Sequence, residues 1–255
     1  MDVKVFASGS SGNCLVLSDG DTNIMIDAGI SLRRIKNGLA EVGLTIDDIC
    51  GVLITHEHSD HVSGLAAMIK HCHVPVYAPH TVANRLCGAL PDIYGVLNVI
   101  KVGESFPLGG VSVRAFHTPH DTDESVGYRI SGTGEFALAT DMGCVTEEVF
   151  DGLTGADTVV IESNHDRQML CMGPYPAQLK RRILSDHGHL SNEACAELAL
   201  RLYGTGTKHF ILGHLSRENN TPALALEAVS RALEDTEATV CCAPPLGCLK
   251  VSVNG

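Results

Sequence analysis

The chain has 255 residues, a net charge of −12 and 13 histidines, with 44% hydrophobic and 19% charged residues. That balance excludes a disordered or fibrous chain, and the length suits one large α/β domain. Aromatics reach only 4% with no Trp, which leaves the core to Val, Leu, Ile and Ala, and the acid excess disfavours a polyanionic partner on charge alone.

Strand patterns come first, at Val3–Phe6, Cys14–Leu17 and Asn23–Ile26. Between the first two lies a turn rich in Gly and Ser, Ser8-Gly9-Ser10-Ser11-Gly12-Asn13. Ser31 caps a predicted helix that carries Leu32, Ile35, Leu39 and Val42 on one face and closes at Gly43. Gly51–Thr55 reads as a buried strand, and residues 62–70 as a helix. Strand-like segments follow at 96–101, 111–116, 125–130 and 135–139. Then come a strand at Thr158–Ile161, helices at 176–185 and 191–202, a strand at His209–Leu212, a helix at 222–233, and strands at 238–242 and 247–253. Two mixed sheets with helices on their outer faces fit this order. No apolar run approaches the length of a membrane span and no secretory leader pattern is seen, so the expectation is a cytoplasmic protein. The ten scattered cysteines, with no CxxC pair, then read as reduced thiols.

His56-Glu57-His58-Ser59-Asp60-His61 stands between a predicted strand and a predicted helix. An extended segment projects His56 and His58 to one side, and Asp60 and His61 turn toward a second position. Four ligand-type side chains in six residues suit two metal ions. Three further candidates, His120, Asp141 and His214, follow the predicted strands 111–116, 135–139 and 209–212. His117 offers the same chemistry as His120, and spacing leaves both open.

This order of ligands resembles the metallo-β-lactamase superfamily over essentially the whole chain. Four segments resemble its YycJ/WalJ (VicX) branch, which is related to RNase Z-type phosphodiesterases: Ser8–Asn13, Ile161-Glu162-Ser163-Asn164-His165-Asp166, Gly188-His189-Leu190-Ser191-Asn192, and His214-Leu215-Ser216-Arg217-Glu218-Asn219-Asn220. The resemblance implies a four-layer αββα sandwich and a hydrolase with two divalent ions, Zn, Mn or Fe. It assigns His56, His58 and His120 to one ion, Asp60, His61 and His214 to the other, and Asp141 to both, with a bridging hydroxide as nucleophile. It favours His120 over His117. It gives Asp27 the task of orienting a metal-binding histidine, although a turn or cap residue is the plainer reading. Asp60 belongs to the catalytic set, and His189 with Glu162 resembles an acid pair that protonates the leaving group; His189 also reads simply as a residue ahead of the Ser191 cap.

Ser10, Asn13, His165, Ser216, Arg217 and Asn219 are candidates for gripping phosphate; for Asn219 a helix cap is an equal alternative. The family's activity implies 5′-to-3′ exonuclease action on DNA, with a cyclic phosphodiester or a thioester as the small-molecule alternative. Residues 1–255 read as a single catalytic domain without a β-CASP insertion, since 214 − 141 leaves only 72 residues between the last two ligands. Two divalent ions would raise −12 to about −8, all of that gain in the cleft, so the expectation is a DNA strand held weakly outside it.

Overall fold

The computed structural model describes residues 1–252. Three strands, β1 (Asp2–Ala7), β2 (Cys14–Asp19) and β3 (Thr22–Ile26), form an antiparallel meander. Helix α1 (Leu32–Glu41) starts where Ser31 Oγ accepts from Arg34 N, and its end passes into Gly43 at φ 77°. The chain then returns in parallel as β4 (Ile49–Leu53), β5 (Val76–Pro79) and β6 (Leu97–Ile100). Helices α2 (Ser59–Val62), α3 (Leu65–Cys72) and α4 (His80–Ala89) lie between these strands in sequence.

The second half repeats the plan. Strands β7 (Ser105–Leu108), β8 (Val111–His117), β9 (Val126–Ser131) and β10 (Glu135–Ala139) pair antiparallel. Helix α5 (Glu147–Leu153) leads to β11 (Thr158–Glu162); α6 (Arg167–Met172), α7 (Ala177–Ile183) and α8 (Asn192–Tyr203) lead to β12 (His209–Gly213); and α9 (Pro222–Ala232) leads to β13 (Thr239–Cys242). Strands β10 to β13 pair in parallel, and β14 (Leu249–Ser252) crosses back to pair with β1. Two seven-stranded sheets result, in the orders β14-β1-β2-β3-β4-β5-β6 and β13-β12-β11-β10-β9-β8-β7.

Strand alternation sorts side chains into layers. Leu15, Leu17, Ile24 and Ile26 of the first sheet meet Val113, Tyr128, Val160 and Ile211 of the second in one central core. The intervening residues face outward: Cys14, Val16 and Met25 pack with Ile35 and Leu39 of α1, and Val159, Ile161, Phe210 and Leu212 pack with Leu198 and Leu202 of α8. Three cores between four layers are the αββα arrangement.

The sequence places most strands within a residue or two and differs from the structure in three places. The expected helix 62–70 is two helices broken at Ser63 and Gly64. Gly64 N donates to Ala28 O at 2.8 Å, and a Cβ on Gly64 would come within 2.1 Å of Ile30 O, so the crossing of residues 28–30 forces the break. Elements β5, α4, β7, α5 and α6 lie outside the predicted set. The final strand covers Leu249–Ser252; Val253 of the expected 247–253 lies outside the described residues. Among the described residues no helix is long and apolar enough to cross a membrane.

Candidate metal centre

The parallel strands of both sheets deliver their C-terminal ends to one edge of the sandwich, where the loops that follow are free to carry function. Asp27 follows β3, Thr55 and His56 follow β4, Asp141 follows β10, Glu162 ends β11 and His214 follows β12. Asp27, Asp141 and His214 all hold positive φ, at 58°, 54° and 55°. That left-handed backbone costs a non-glycine residue of order 1–3 kcal/mol and persists where surrounding contacts over-determine it. Gly29 makes the close approach possible: a Cβ there would lie 1.7 Å from Asp60 O.

Ligand-type atoms gather in two adjoining groups, each within 4.8 Å: His56, His58 and His120; and Asp60, His61 and His214. Asp141 lies between them. It groups with His56 and His61, and its Oδ1 is 3.4 Å from His214 Nδ1 and 3.8 Å from His120 Nε2. His120 joins the cluster, whereas His117 stands half-exposed with Nδ1 3.0 Å from Glu148. A further grouping of Asp141, Glu162, His189 and His214 has its own internal hydrogen bonds, described below.

The nitrogens are oriented from behind. Asp27 Oδ2 accepts from His61 Nδ1 at 2.7 Å, which leaves Nε2 for the cluster. Thr55 braces this carboxylate through N at 2.9 Å and through Oγ1 at 2.9 Å, and its hydroxyl lies 3.1 Å from Nδ1 of both His56 and His61. Glu162, fully buried, accepts four hydrogen bonds: His189 Nδ1 at 2.8 Å and His214 Nδ1 at 2.9 Å on Oε1, and Met142 N at 2.8 Å and Leu190 N at 3.2 Å on Oε2. Ser8 Oγ fixes the His214 backbone by accepting from its N at 2.8 Å.

A cation fits this set. His56 Nε2, His120 Nδ1, Asp141 Oδ2 and His214 Nε2 are buried polar atoms without a hydrogen-bond partner among the described residues, an arrangement folded proteins rarely leave unexplained. Asp27, Asp60, Asp141 and Glu162 find only imidazoles as ionic partners among the described residues. Buried carboxylates without cations are costly, and divalent metal binding is the chemistry that this all-oxygen and nitrogen donor set serves. Burial holds His56 well below its ordinary pKa and lowers His120, keeping both neutral as ligation requires. Burial also depresses His61, but Asp27 and Asp141 outweigh it and bring it to about 10, a measure of the negative field in the cluster. For Glu162 burial raises the carboxyl, and His189 and His214 outweigh it, bringing it to about 2. For His189 burial lowers the imidazole and Glu162 outweighs it, so the pKa lies above the usual value.

The candidates for substrate contact separate into two sets. Ser10, His189 and Ser216 line a cavity of about 200 Å³ beside the cluster, together with His214, Tyr175 and Arg182. Arg217 is exposed, with Nη2 donating to Ser11 Oγ at 2.6 Å; both residues are chain neighbours of the lining residues Ser216 and Ser10. Asn13 and Asn219 are buried and are not brought to that surface. Asn13 Oδ1 accepts from Gly9 N at 2.8 Å, and its Nδ2 lies 3.0 Å from His61 Nε2, so it shapes the loop against the ligands. Asn219 packs behind Ser216, donating through N to its Oγ at 3.2 Å. His165 is 1% exposed, has no hydrogen-bond partner on either ring nitrogen among the described residues, and lines a cavity of about 180 Å³ that shares His189 with the first.

Sequence reasoning gave no role to Thr55 or to the hydroxyl of Ser8, and read Asn220 as a phosphate or cap candidate rather than as part of the amide network behind the site. Asn220 Nδ2 donates to Ser163 O at 2.8 Å and Asn192 Oδ1 at 2.9 Å, Ser163 Oγ donates to Asn192 Oδ1 at 2.7 Å, and Asn164 Nδ2 donates to His214 O at 2.9 Å. The segments carrying Glu162, His189 and His214 are therefore locked to one another by buried amides. Their signal in the sequence was position: each sits in the same short motif as a ligand or an acid candidate.

Glu162→Gln is expected to lower stability by about 2–4 kcal/mol, because an amide cannot accept from four donors at once. In a domain of this size that is a fall in Tm of roughly 5–15 °C, read by thermal melting; an unchanged Tm would show that the four contacts do not hold the site.

Comparison with known proteins agrees with this architecture. The description "Beta-lactamase superfamily domain" fits residues 22–215. Exodeoxyribonuclease YycJ of Bacillus anthracis is 38% identical over 236 residues, covering 91% of this chain and 89% of the relative. Exodeoxyribonuclease WalJ of Streptococcus pneumoniae is 36% identical over 228 residues, covering 87% and 84%. Human tRNase Z, short form, superposes with a TM-score of 0.69 over 100% of both chains at 17% identity, a likeness of fold. On the strength of the matched domain and of relatives aligned over most of their length, the chain belongs to the β-lactamase superfamily, in its YycJ/WalJ family.

Proposed function

We propose that this protein is a dinuclear metal-dependent phosphodiesterase that acts on DNA as a 5′-to-3′ exonuclease. His56, His58 and His120 would hold one divalent ion and Asp60, His61 and His214 the other, with Asp141 shared; Zn, Mn and Fe all suit such donors. Such ions, when bound, supply Lewis acidity at phosphoryl oxygen and a lowered pKa for water.

The observation that carries the phosphodiester reading is the shared Glu162 oxygen. It accepts from His214, a ligand candidate, and from His189, which faces the cavity. One buried carboxylate therefore sets both a ligand and a proton donor, and His189 Nε2 is the nitrogen left for the departing oxygen of a nucleotide. A thioester has no comparable need, since a thiolate leaves more readily. Ser10 and Ser216, which line the cavity, and the exposed Arg217 would grip the phosphate, with His165 lining the neighbouring cavity. The names of the YycJ and WalJ relatives support DNA as substrate and exonucleolytic action.

The domain reading rests on the stretch between Asp141 and His214, which α5, β11, α6, α7, α8 and β12 already fill, leaving no room for a β-CASP domain. Free thiols at all ten cysteines support a reducing cytoplasm.

Digestion of 5′- and 3′-labelled single-stranded DNA with Mn and with Zn tests this. Mononucleotides should be released from the 5′ end, chelation should abolish the activity, and one metal should restore it. Turnover of a thioester or a cyclic phosphodiester with the labelled strands left intact would give the site to the small-molecule alternative.

A further inference from the structure

The chain is acidic overall, but its charge is unevenly placed around the cavity. From Arg167 to Ser185 there are 19 residues with four basic side chains, Arg167, Lys180, Arg181 and Arg182, and no acidic one. Lys180-Arg181-Arg182 is the one run of three consecutive basic residues in the sequence. This segment contains α6 and α7, and it forms a wall of the cavity beside the ligand cluster.

The wall has a defined inner face. Leu179, Arg182 and Ile183 of α7 line the cavity at helical spacing, with Tyr175 just before the helix. Arg182 Nε pairs with Asp121, whose other oxygen is 3.3 Å from Nε2 of His120 in the cluster. The basic run is therefore tied directly to the ligand cluster. Lys180 Nζ reaches Cys171 O at 2.7 Å, and among the described residues neither Lys180 nor the exposed Arg181 has a carboxylate partner. Tyr175 is half-buried and lines the cavity.

Basic side chains on one wall and an aromatic residue lining the cavity are the two kinds of group that a sequence-tolerant single-strand grip needs. We propose that residues 167–185 form a track for the phosphodiester backbone of a single strand, with Tyr175 stacking on a base as the strand enters the metal centre. The inference rests on the nucleic-acid reading above and extends it: the strand is held outside the cleft, on one side only, despite the net charge of −12.

The test is fluorescence anisotropy of a labelled single-stranded phosphorothioate oligodeoxynucleotide on the metal-loaded protein, titrated over a range of salt. Lys180→Ala/Arg181→Ala should weaken binding by about tenfold near physiological salt and reduce the slope of log K against log salt by about 1.4, at about 0.7 per lost contact. Tyr175→Ala should weaken binding at least about fivefold with the slope unchanged, as loss of stacking requires. Lys180→Arg/Arg181→Lys should keep the wild-type slope, and Lys180→Gln/Arg181→Gln repeats the charge removal should the alanine pair fold poorly. Lys208→Ala/Arg231→Ala is the control, since Lys208 precedes β12 and Arg231 lies in the last turn of α9, paired with Glu227. Wild-type affinity and slope in the Lys180/Arg181 variants, or an equal loss in the control, would overturn the track. A wild-type protein that neither binds nor cleaves the strand would instead overturn the nucleic-acid reading itself.

Discussion

Asp141→Ala is expected to remove both retained metal and hydrolysis, with turnover falling on the order of 10⁴-fold or more, as when one member of an interdependent catalytic set is lost. Asp141 is the carboxylate placed between the two ligand groups, 2% exposed, with Oδ2 buried and without a hydrogen-bond partner among the described residues. Its removal would leave His56, His61 and His214 without the negative charge they share. Two measurements check it: metal content after dialysis, and cleavage of a labelled strand. Because Asp141 holds φ 54°, alanine there also adds backbone strain. Asp141→Asn separates the effects, since asparagine tolerates the left-handed conformation and lacks only the charge. The asparagine variant should fold as the wild type does and still lose metal. Full activity in both variants would dismiss the two-ion arrangement.

The features legible in the sequence were those with a local cause. Ser31 and Ser191 announce helices because their hydroxyls accept from the amides three residues on. The strands β2, β3, β11 and β12 show themselves because both faces are apolar and the run is short. The ligand motif His56–His61 is readable because six adjacent residues hold four of the ligand candidates. Elements without such a local signature were not readable. Helix α4 begins at Pro79 with no side-chain cap, and β7 carries Pro107 on an edge, which weakens its strand pattern. Helix α5 is an exception, for Thr146 followed by Glu147 and Glu148 is a start signal in plain view.

Long-range relations were the least legible part of the site. Residue types could suggest that Asn13 and Asn219 grip phosphate, but only the fold shows them buried against loop amides. Likewise the pairing of Arg182 with Asp121, 61 positions apart, gives the basic run its place beside the cluster. Net charge averages over the surface and hides such an arrangement.

His189→Ala is expected to slow DNA cleavage by about 10²–10⁴-fold while leaving metal content unchanged. Its Nδ1 is held by Glu162 at 2.8 Å and its side chain reaches the cavity, which leaves Nε2 as the nitrogen for the proton donation proposed above. The effect should depend on the leaving group. An alkoxide leaving from a nucleotide needs a proton, and loss of the donor is felt in full. A nitrophenolate leaves without one, so hydrolysis of bis-p-nitrophenyl phosphate should fall by no more than about tenfold in the same variant, the acid having little left to do. A residue that only props the site would slow both substrates alike, because it acts on the nucleophile and the phosphate rather than on the departing oxygen. The ratio of the two losses therefore separates proton donation from positioning. Equal losses would move His189 from the first role to the second while leaving the metal arrangement standing.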